Sequence, residues 1–254
     1  MKRKIGLLVS GGQAWLFGAL MLGAVASATP ATAVCRQALA LGLDISGSVD
    51  NNEYRLQLDG LAAALLNPDV RQAFLAMPEI NVRLFVYEWG AERGQTVLVP
   101  WTEITGVEDL QMVASSLRAN QRIPGRLPTA LGEAMLFGGS KLLEQSDCWR
   151  RTLDISGDGR SNIGPTPRMI SNAAVLDGVT INALVIGNEW LIQVERYAKA
   201  LGKLGVYFQD EVIRGPDAFV ELAIDFSAFE DAMTKKLLKE LQTRSVGLLV
   251  GADR

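Results

Sequence analysis

The sequence predicts a doubly wound α/β fold, in which a mostly parallel six-stranded sheet carries helices on both faces. Three observations support this fold class. Short apolar runs alternate with segments of helical period. Of the 254 residues, 48% are hydrophobic and 21% charged, which provides a large core. No internal repeat or linker divides the chain, so we expect one domain over residues 34–244, a leader over residues 1–33 and an unassigned tail over residues 245–254.

Six apolar runs that contain β-branched or aromatic residues are the predicted strands. They are Ala38–Leu43, Val82–Val86, Thr96–Val99, Thr152–Ile155, Val179–Ile186 and Val206–Ile213. The short segment Tyr87–Thr96, between the second and third runs, predicts a hairpin tip. Its Trp89 either packs against the sheet or faces a partner. Helical segments separate the later runs, and this alternation favours parallel pairing.

Five segments place apolar residues at helical spacing. The clearest one puts Tyr54, Leu58 and Leu61 on a single stripe. The predicted helices are Asp50–Leu66, Ala130–Leu143, Thr166–Leu176, Leu191–Leu201 and Asp217–Leu241.

Residues 1–33 have the pattern of a Sec-type signal peptide. The run MKRK supplies positive charge, Ile5–Ala28 is uncharged and mostly apolar, and Ala26–Ala28 and Ala31–Ala33 are small-x-small cleavage sites. We therefore expect a bacterial protein that is exported to the periplasm or secreted. The alternative is an uncleaved anchor, because an apolar run of about 20 residues can span a bilayer. In that case the leader is the only membrane contact.

Charge and the absence of histidine exclude several kinds of function. The formal net charge is -3, so no broad basic surface is available for a phosphate backbone and we expect no nucleic-acid partner. The chain contains no histidine, which excludes Ser-His-Asp and Cys-His catalysis and the usual zinc sites with histidine ligands.

The chain has two cysteines, Cys35 and Cys148. An oxidising compartment outside the cytoplasm allows them to pair. Cys35 lies nine residues before Asp44 and Cys148 ten residues before Asp158, so their sulfurs start level if the first and fourth strands are parallel neighbours. The bond would stabilise the fold by about 4 to 5 kcal/mol in the chain-entropy model. Two buried free thiols are the alternative.

Polar oxygen donors follow the first and fourth predicted strands. Asp44, Ser46 and Ser48 come at the end of the first strand, Asp158 ends the fourth, and Thr129 stands just before a predicted helix. Ligands of doubly wound folds bind at the carboxyl ends of the strands, so we expect these side chains to meet there. An extended chain would separate Asp44 from Ser48 by about 13 Å, so the chain must curl after Asp44. Hard oxygen donors favour Mg²⁺, with Mn²⁺ or Ca²⁺ as alternatives.

These motifs resemble the metal-ion-dependent adhesion site (MIDAS) of von Willebrand factor type A (VWA) domains. The resemblance is carried by DISGS, by the threonine before a helix and by a strand that ends in Asp-Gly, and it covers Ala38–Leu241. It implies the Rossmann-like VWA fold and a metal site formed by Asp44, Ser46, Ser48, Thr129 and Asp158. The segments LDISGDGRSNIG and GPDAFVELAIDFSAFEDAMTKKLLKEL also resemble an exported bacterial VWA-like family, domain of unknown function 1194, which implies no activity.

The resemblance implies a binding function. An ion held by two carboxylates and three hydroxyls keeps an open position, and its natural complement is an Asp or Glu side chain of a partner protein. We therefore expect a metal-dependent protein-binding module and not an enzyme. One alternative is a metal-dependent hydrolase of the phosphatase or esterase type, because an open metal site can polarise a phosphoryl oxygen or activate water. The other is a metal-free scaffold.

The candidate residues also have ordinary structural interpretations. Ser48 or Asp50 can cap the helix that follows, Thr129 can cap the next one, and Asp158 can belong to a simple turn. Asp154 lies inside a predicted buried strand on the same face as Asp158. A buried acid needs partners, so we expect Asp154 to support the metal ligands through hydrogen bonds. A contact at the strand edge is the alternative.

Overall fold

The computed structural model describes residues 34–91, 94–122, 127–187 and 194–242. All of them belong to the compact unit Ala33–Arg254. The predicted signal peptide over residues 1–33 and the tail over residues 245–254 lie outside the described residues. Within the described ranges, no helix is long and apolar enough to cross a membrane.

Six strands and six α-helices lie in the described ranges. The strands are β1 (Val34–Asp44), β2 (Ile80–Trp89), β3 (Thr96–Ile104), β4 (Arg150–Gly157), β5 (Val179–Ile186) and β6 (Val220–Ala223). The helices are α1 (Asn51–Leu66), α2 (Pro68–Phe74), α3 (Val107–Ala119), α4 (Leu131–Leu143), α5 (Val194–Tyr207) and α6 (Phe229–Leu241). Short 3₁₀ helices cover Ala174–Leu176 and Phe226–Ala228, and a π-helix covers Phe208–Val212.

The sheet has the strand order β3-β2-β1-β4-β5-β6. β2 and β3 pair antiparallel as the predicted hairpin, and the other neighbouring strands pair in parallel. The chain first builds outward from β1 through β2 and β3 and then adds β4 on the other side of β1. β1 and β4 are therefore neighbours, with Leu41 level with Asp154. The predicted doubly wound, mostly parallel fold is confirmed.

The two faces of the sheet carry different helices because side chains alternate along each strand. Leu41 of β1 lies in a core that contains Leu58 of α1 and Leu237 of α6. Ala40 belongs to the opposite core, which contains Met135 of α4. Helices α1, α2, α3 and α6 cover the first face, and α4 and α5 cover the second.

The predicted strand Val206–Ile213 is wrong. This segment is the end of α5 followed by the π-helix. Phe208 and Val212 are both buried there, and their spacing of four residues fits one side of a helix. A short apolar run without a strict alternation does not distinguish a strand from a buried helical turn.

The sixth strand, β6, lies inside the segment Asp217–Leu241, for which the sequence predicts one long helix. Gly215 and Asp217 have positive φ angles of 91° and 60°, and this left-handed backbone prevents a helix from beginning there. The chain leaves the turn extended and pairs with β5, with Ala183 level with Val220. Only the later part of the segment forms helix α6.

Four further elements differ from the prediction. Thr166–Leu176 contains single turns with bonds such as Ala173 N to Ile170 O (2.9 Å), and then a 3₁₀ helix. Its buried residues Ile170 and Leu176 gave the segment an apolar spacing that resembles a helix. Helices α2 and α3 have no counterpart in the prediction. The predicted helix Leu191–Leu201 overlaps α5, and its first residues lie outside the described ranges.

The predicted disulfide between Cys35 and Cys148 is confirmed. Their Cα atoms lie 4.4 Å apart at the amino ends of β1 and β4. The backbone continues the contact, since Trp149 N donates to Cys35 O at 3.0 Å. The bond therefore joins the two central strands at the edge of the sheet opposite their carboxyl ends.

Candidate metal centre

The first loop curls sharply at the end of β1, as its spacing requires. Asp44 Oδ1 accepts a hydrogen bond from Ser46 N (2.7 Å), and Val49 N donates to Ser46 O (3.0 Å) in a tight turn. The turn brings Ser46 Oγ within 3.2 Å of Ser48 Oγ. The three oxygen-bearing side chains therefore share one end of the strand.

The helix cap after this loop belongs to Asp50. Its side chain accepts hydrogen bonds from Asn52 N (2.7 Å) and Glu53 N (2.8 Å), and Glu53 Oε2 accepts one from Asp50 N (2.7 Å). This reciprocal arrangement is a capping box. Because Asp50 satisfies the first turn of α1, the Ser48 hydroxyl is available for another contact.

Ser48 makes that contact with the third loop. Its hydroxyl donates to Asp158 Oδ1 at 2.6 Å, which joins residues 110 apart in the sequence. Gly157 precedes Asp158 at the end of β4, and a Cβ atom added to Gly157 would lie 3.2 Å from Asp44 Oδ2. The glycine therefore leaves room for the Asp44 carboxylate between the two strands.

The second loop lies against the first. Gly47 N donates to Leu127 O (2.7 Å), and Ala130 N donates to Gly90 O (2.8 Å). These two backbone bonds hold Thr129 beside the loop that follows β1. Thr129 is 7% exposed, and the residue that precedes the first turn of α4 is Ala130, without a side-chain cap. Capping by Thr129 is therefore not its role here.

Asn162 fixes Thr129 and was not assigned a function from the sequence. Its Oδ1 accepts from Thr129 N (2.8 Å), its backbone N donates to Thr129 O (2.9 Å), and its Nδ2 lies 3.4 Å from Thr129 Oγ1. These contacts join the second and third loops across 33 residues. Only its position four residues after Asp158, on the same loop, pointed towards this role.

The Asp44 carboxylate has a high free energy as an anion. The residue is 0% exposed, and Oδ2 has no hydrogen-bond partner among the described residues. Burial and then the nearby Asp158 carboxylate raise the pKa of Asp44 to about 8, against hydrogen bonds from Ser46 and Asp158 that lower it. No basic side chain is among the groups that shift this pKa. A cation at this carboxylate would remove the cost of its charge.

The structure gives Asp154 a different partner from the one predicted. Neither of its carboxylate oxygens makes a hydrogen bond to the predicted metal ligands, all of which are described. Lys236 Nζ of α6 lies 2.8 Å from Asp154 Oδ1 and 2.6 Å from Glu240 Oε1. Asn182 Nδ2 donates to the same Glu240 oxygen (2.8 Å). The supporting role predicted for Asp154 is therefore corrected to an ion pair with a buried lysine.

Gln57 and Ser156 form the polar support that Asp154 does not provide. Gln57 Nε2 donates to Asp44 O (2.9 Å), and Ser156 Oγ donates to Gln57 Oε1 (3.1 Å). Both side chains are buried. They connect α1 with β4 beneath the end of β1, and these hydrogen bonds hold the first residue of the first loop in place.

The donors at this edge of the sheet are all oxygens. Asp44, Ser46, Ser48 and Asp158 are joined by direct contacts, and backbone bonds bring the Thr129 loop against them. No group of three or more His, Cys, Asp or Glu residues suited to a metal occurs in the described part of the chain. Two carboxylates with hydroxyls are a donor set that suits a hard divalent cation and not a soft one.

Residues 34–245 match the profile of a family described as "Protein of unknown function (DUF1194)". Comparison with curated proteins gives no match.

Solved structures with a similar fold share little sequence with this chain. The pilus adhesin SpaC from Lactobacillus rhamnosus GG is 14% identical, with 82% of this chain and 31% of that chain covered and a TM-score of 0.56. A von Willebrand factor type A protein from Catenulispora acidiphila is also 14% identical, with coverages of 82% and 43% and a TM-score of 0.53. Proximal thread matrix protein 1 from the mussel byssus, "with zinc occupied MIDAS motif", is 17% identical, with coverages of 80% and 47% and a TM-score of 0.53.

This chain therefore spans about a third to a half of the length of these three structures. Together with the strand order, the likeness establishes a VWA-like fold.

Proposed function

This chain belongs to the DUF1194 family and has a VWA-like fold, and on that premise we propose that it is an exported, metal-dependent protein-binding module. In this proposal a divalent cation, with Mg²⁺ as the preferred ion, binds an Asp or Glu side chain of a partner protein. The observation that carries the proposal is the buried carboxylate of Asp44, whose Oδ2 atom has no hydrogen-bond partner in the described residues. A buried anion is costly unless a cation balances it.

Five side chains would hold the ion: Asp44, Ser46, Ser48, Thr129 and Asp158. Asp44 and Asp158 would supply the negative charge, and the hydroxyls would supply neutral oxygens. Ser48 is exposed while Asp44 and Ser46 are fully buried, so the open side of the site faces solvent. When bound, the ion supplies a Lewis-acidic position that a carboxylate oxygen can fill.

One of the similar proteins supports the choice of site. The mussel protein has a MIDAS motif occupied by zinc. A second similar protein, SpaC, is a pilus adhesin. We extend to this chain only the idea of a metal at the same edge of the fold. The oxygen-only donors favour Mg²⁺ here over zinc, which prefers nitrogen and sulfur ligands.

We propose a binding role in preference to hydrolysis. The sequence Asp44-Ile45-Ser46 lacks the second acid of Asp-x-Asp phosphotransferases. Asp154 contacts Lys236 and makes no hydrogen bond to the candidate metal ligands, so it is not positioned as a general base for this site. A panel of phosphatase and esterase substrates with added Mg²⁺ or Mn²⁺ tests this preference. Turnover by the wild type that is lost in Asp44→Ala would show that the protein is a metal-dependent hydrolase and not a binding module.

Export is part of the same proposal. The disulfide between Cys35 and Cys148 suits an oxidising compartment, and the predicted signal peptide supplies the route. The periplasm or the outside of a bacterial cell follows from these two features. Mass spectrometry of the mature amino terminus tests this part, because an intact leader would indicate an anchor.

Capture of a partner from an envelope extract tests the binding function directly. The tagged protein is expected to retain a partner in Mg²⁺ and to release it in EDTA, and Asp44→Ala is expected to retain none. Asp177→Ala is a matched control, because Asp177 is an exposed acid just before β5, at the opposite edge of the sheet. Capture that persists both in EDTA and in Asp44→Ala would defeat the proposal.

A further inference from the structure

A cleft of about 580 Å³ opens between the beginning of α1 and the end of α3. Asn51, Tyr54 and Arg55 of α1 line one side of it, and Arg118 and the chain that follows α3 line the other. This volume is in the range of pockets that bind small ligands. It is too large for a single ion and fits a side chain together with part of a peptide backbone.

The charge of the cleft is positive. Three arginines line it, Arg55, Arg118 and Arg122, against one acid, Asp59. Asp59 is paired with Arg55. Arg118 and Arg122 form no ion pair with a carboxylate of the described residues. Glu88 lies beneath the wall of the cleft, is 1% exposed, and accepts a hydrogen bond from Tyr54. The guanidinium group of Arg118 is therefore left for an anion from outside, and Arg122 adds positive charge beside it.

Arg122 connects the cleft to the candidate metal centre. Its Nη2 atom lies 3.4 Å from both Ile45 O and Ser46 O, and its Nη1 atom lies 3.4 Å from Asn51 Oδ1. These contacts are at the long end of hydrogen bonding, and the buried Nε atom has no partner among the described residues. The cleft therefore begins beside the loop that carries Asp44, Ser46 and Ser48.

We propose that this cleft binds a second carboxylate of the same acidic partner segment whose first carboxylate binds the metal. The inference rests on the proposed function for the first acid and adds a specificity to it: the partner presents two acids close together in its sequence. A guanidinium group matches a carboxylate with two parallel hydrogen bonds. The adjacency of Arg122 to Ser46 places the two acids within the reach of a few residues of extended peptide.

Synthetic peptides in Mg²⁺ test the spacing. One peptide carries a single aspartate among glycines and serines, and its partners carry an additional glutamate two, three or four residues later. At least one peptide with two acids is expected to bind about tenfold or more tightly than the peptide with one acid, measured by calorimetry, because charge-assisted hydrogen bonds to arginine add to the metal contact. Equal affinities for all of the peptides would overturn the proposal.

The variant Arg118→Gln tests the site of the second acid. Arg118 is exposed and has no described contact with the metal loop, so its loss leaves the affinity for Mg²⁺ alone unchanged. The gain from the second acid is expected to fall to about twofold or less in Arg118→Gln. Arg168→Gln removes the same charge from an exposed position outside the cleft and is expected to keep the full gain. A gain that survives in Arg118→Gln would overturn the assignment.

A second arm in EDTA separates this proposal from the metal site. The peptide with two acids is expected to shift the side-chain amide signals of Asn51 and Asn120, which line the cleft, at millimolar concentration in NMR spectra, and Arg118→Gln is expected to abolish the shift. This result would support the cleft even if the protein bound no Mg²⁺. Unchanged amide signals would count against the cleft whatever the outcome at the metal site.

Discussion

Asp44 and Asp154 are buried aspartates on neighbouring strands, 0% and 1% exposed, and they differ in what balances their charge. The ammonium group of Lys236 lies 2.8 Å from Asp154 Oδ1, so the fold supplies the cation. Asp44 has no basic side chain among the groups that shift its pKa. The fold thus supplies a lysine for the aspartate inside the closed core, and supplies no basic side chain for the aspartate at the carboxyl end of β1.

The largest expected effect comes from removing the internal cation. Lys236→Met leaves Asp154 and Glu240 buried without it, and breaking a buried ion pair in this way costs about 3 to 5 kcal/mol of unfolding free energy. Urea denaturation measures the loss. Lys235→Met, at the exposed neighbouring position, should change stability by less than about 0.5 kcal/mol. Similar stabilities of the two variants would show that the buried lysine balances no charge.

Asp44→Asn removes the other buried charge and sharpens the contrast. The amide oxygen can still accept the hydrogen bond from Ser46 N, so the protein without metal should keep its stability. Wild type should gain about 2.7 kcal/mol when Mg²⁺ is present at a hundred times its Kd, and the variant should gain almost nothing. Thermal unfolding with and without Mg²⁺ measures the difference. An equal gain in the two proteins would place the ion elsewhere.

Asn162→Ala tests whether the site depends on the residue that fixes Thr129. The hydrogen bonds of Asn162 hold the Thr129 loop in place, and loss of a residue that orients a metal ligand typically weakens affinity about 10- to 100-fold. Calorimetry with Mg²⁺ measures this change. Asn172→Ala, an exposed position in the turns before β5, serves as the control. Unchanged affinity would indicate that Thr129 contributes nothing to the ion.

A pH dependence of stability belongs to Asp154. Burial raises its pKa to about 7 from 3.8, against the opposing effect of Lys236. A group whose pKa is raised in the folded state contributes stability below its unfolded pKa and loses it as the pH rises through the folded value. The stability of wild type relative to Asp154→Asn should therefore fall between about pH 4 and pH 7, by at most about 1.4 kcal/mol per pH unit. Parallel curves for the two proteins would contradict this.

The central strands could be predicted from the sequence because of their burial. A parallel strand that is covered on both faces reads as a continuous apolar run, as in β1 and β5. β6 has only four residues at the edge of the sheet and includes the half-buried Glu221 and the exposed Leu222. Its pattern therefore merges with the helix that follows. The positive φ angle of Asp217, which lies just before β6 and prevents a helix from beginning there, is a property that few sequences reveal.

The part of the site that could be predicted is the part whose residues are close together in the sequence. Asp44, Ser46 and Ser48 are close in sequence, so their meeting follows from one curl of the chain. The partners of Asn162 and Asp154 lie 33 and 82 residues away, and no local rule connects them. One signal was available: Lys236 shares the buried side of α6 with Met233, and a lysine in that helical phase needs an acid partner.

The bond between Cys35 and Cys148 has a consequence for a chain that is cut by a protease. It closes a ring across 113 residues, which contains four of the five candidate ligands and leaves only Asp158 outside. A single cleavage within the ring opens it but keeps both pieces covalently joined. A nicked molecule therefore carries all five side chains in one species, and its two fragments separate on a denaturing gel only after reduction.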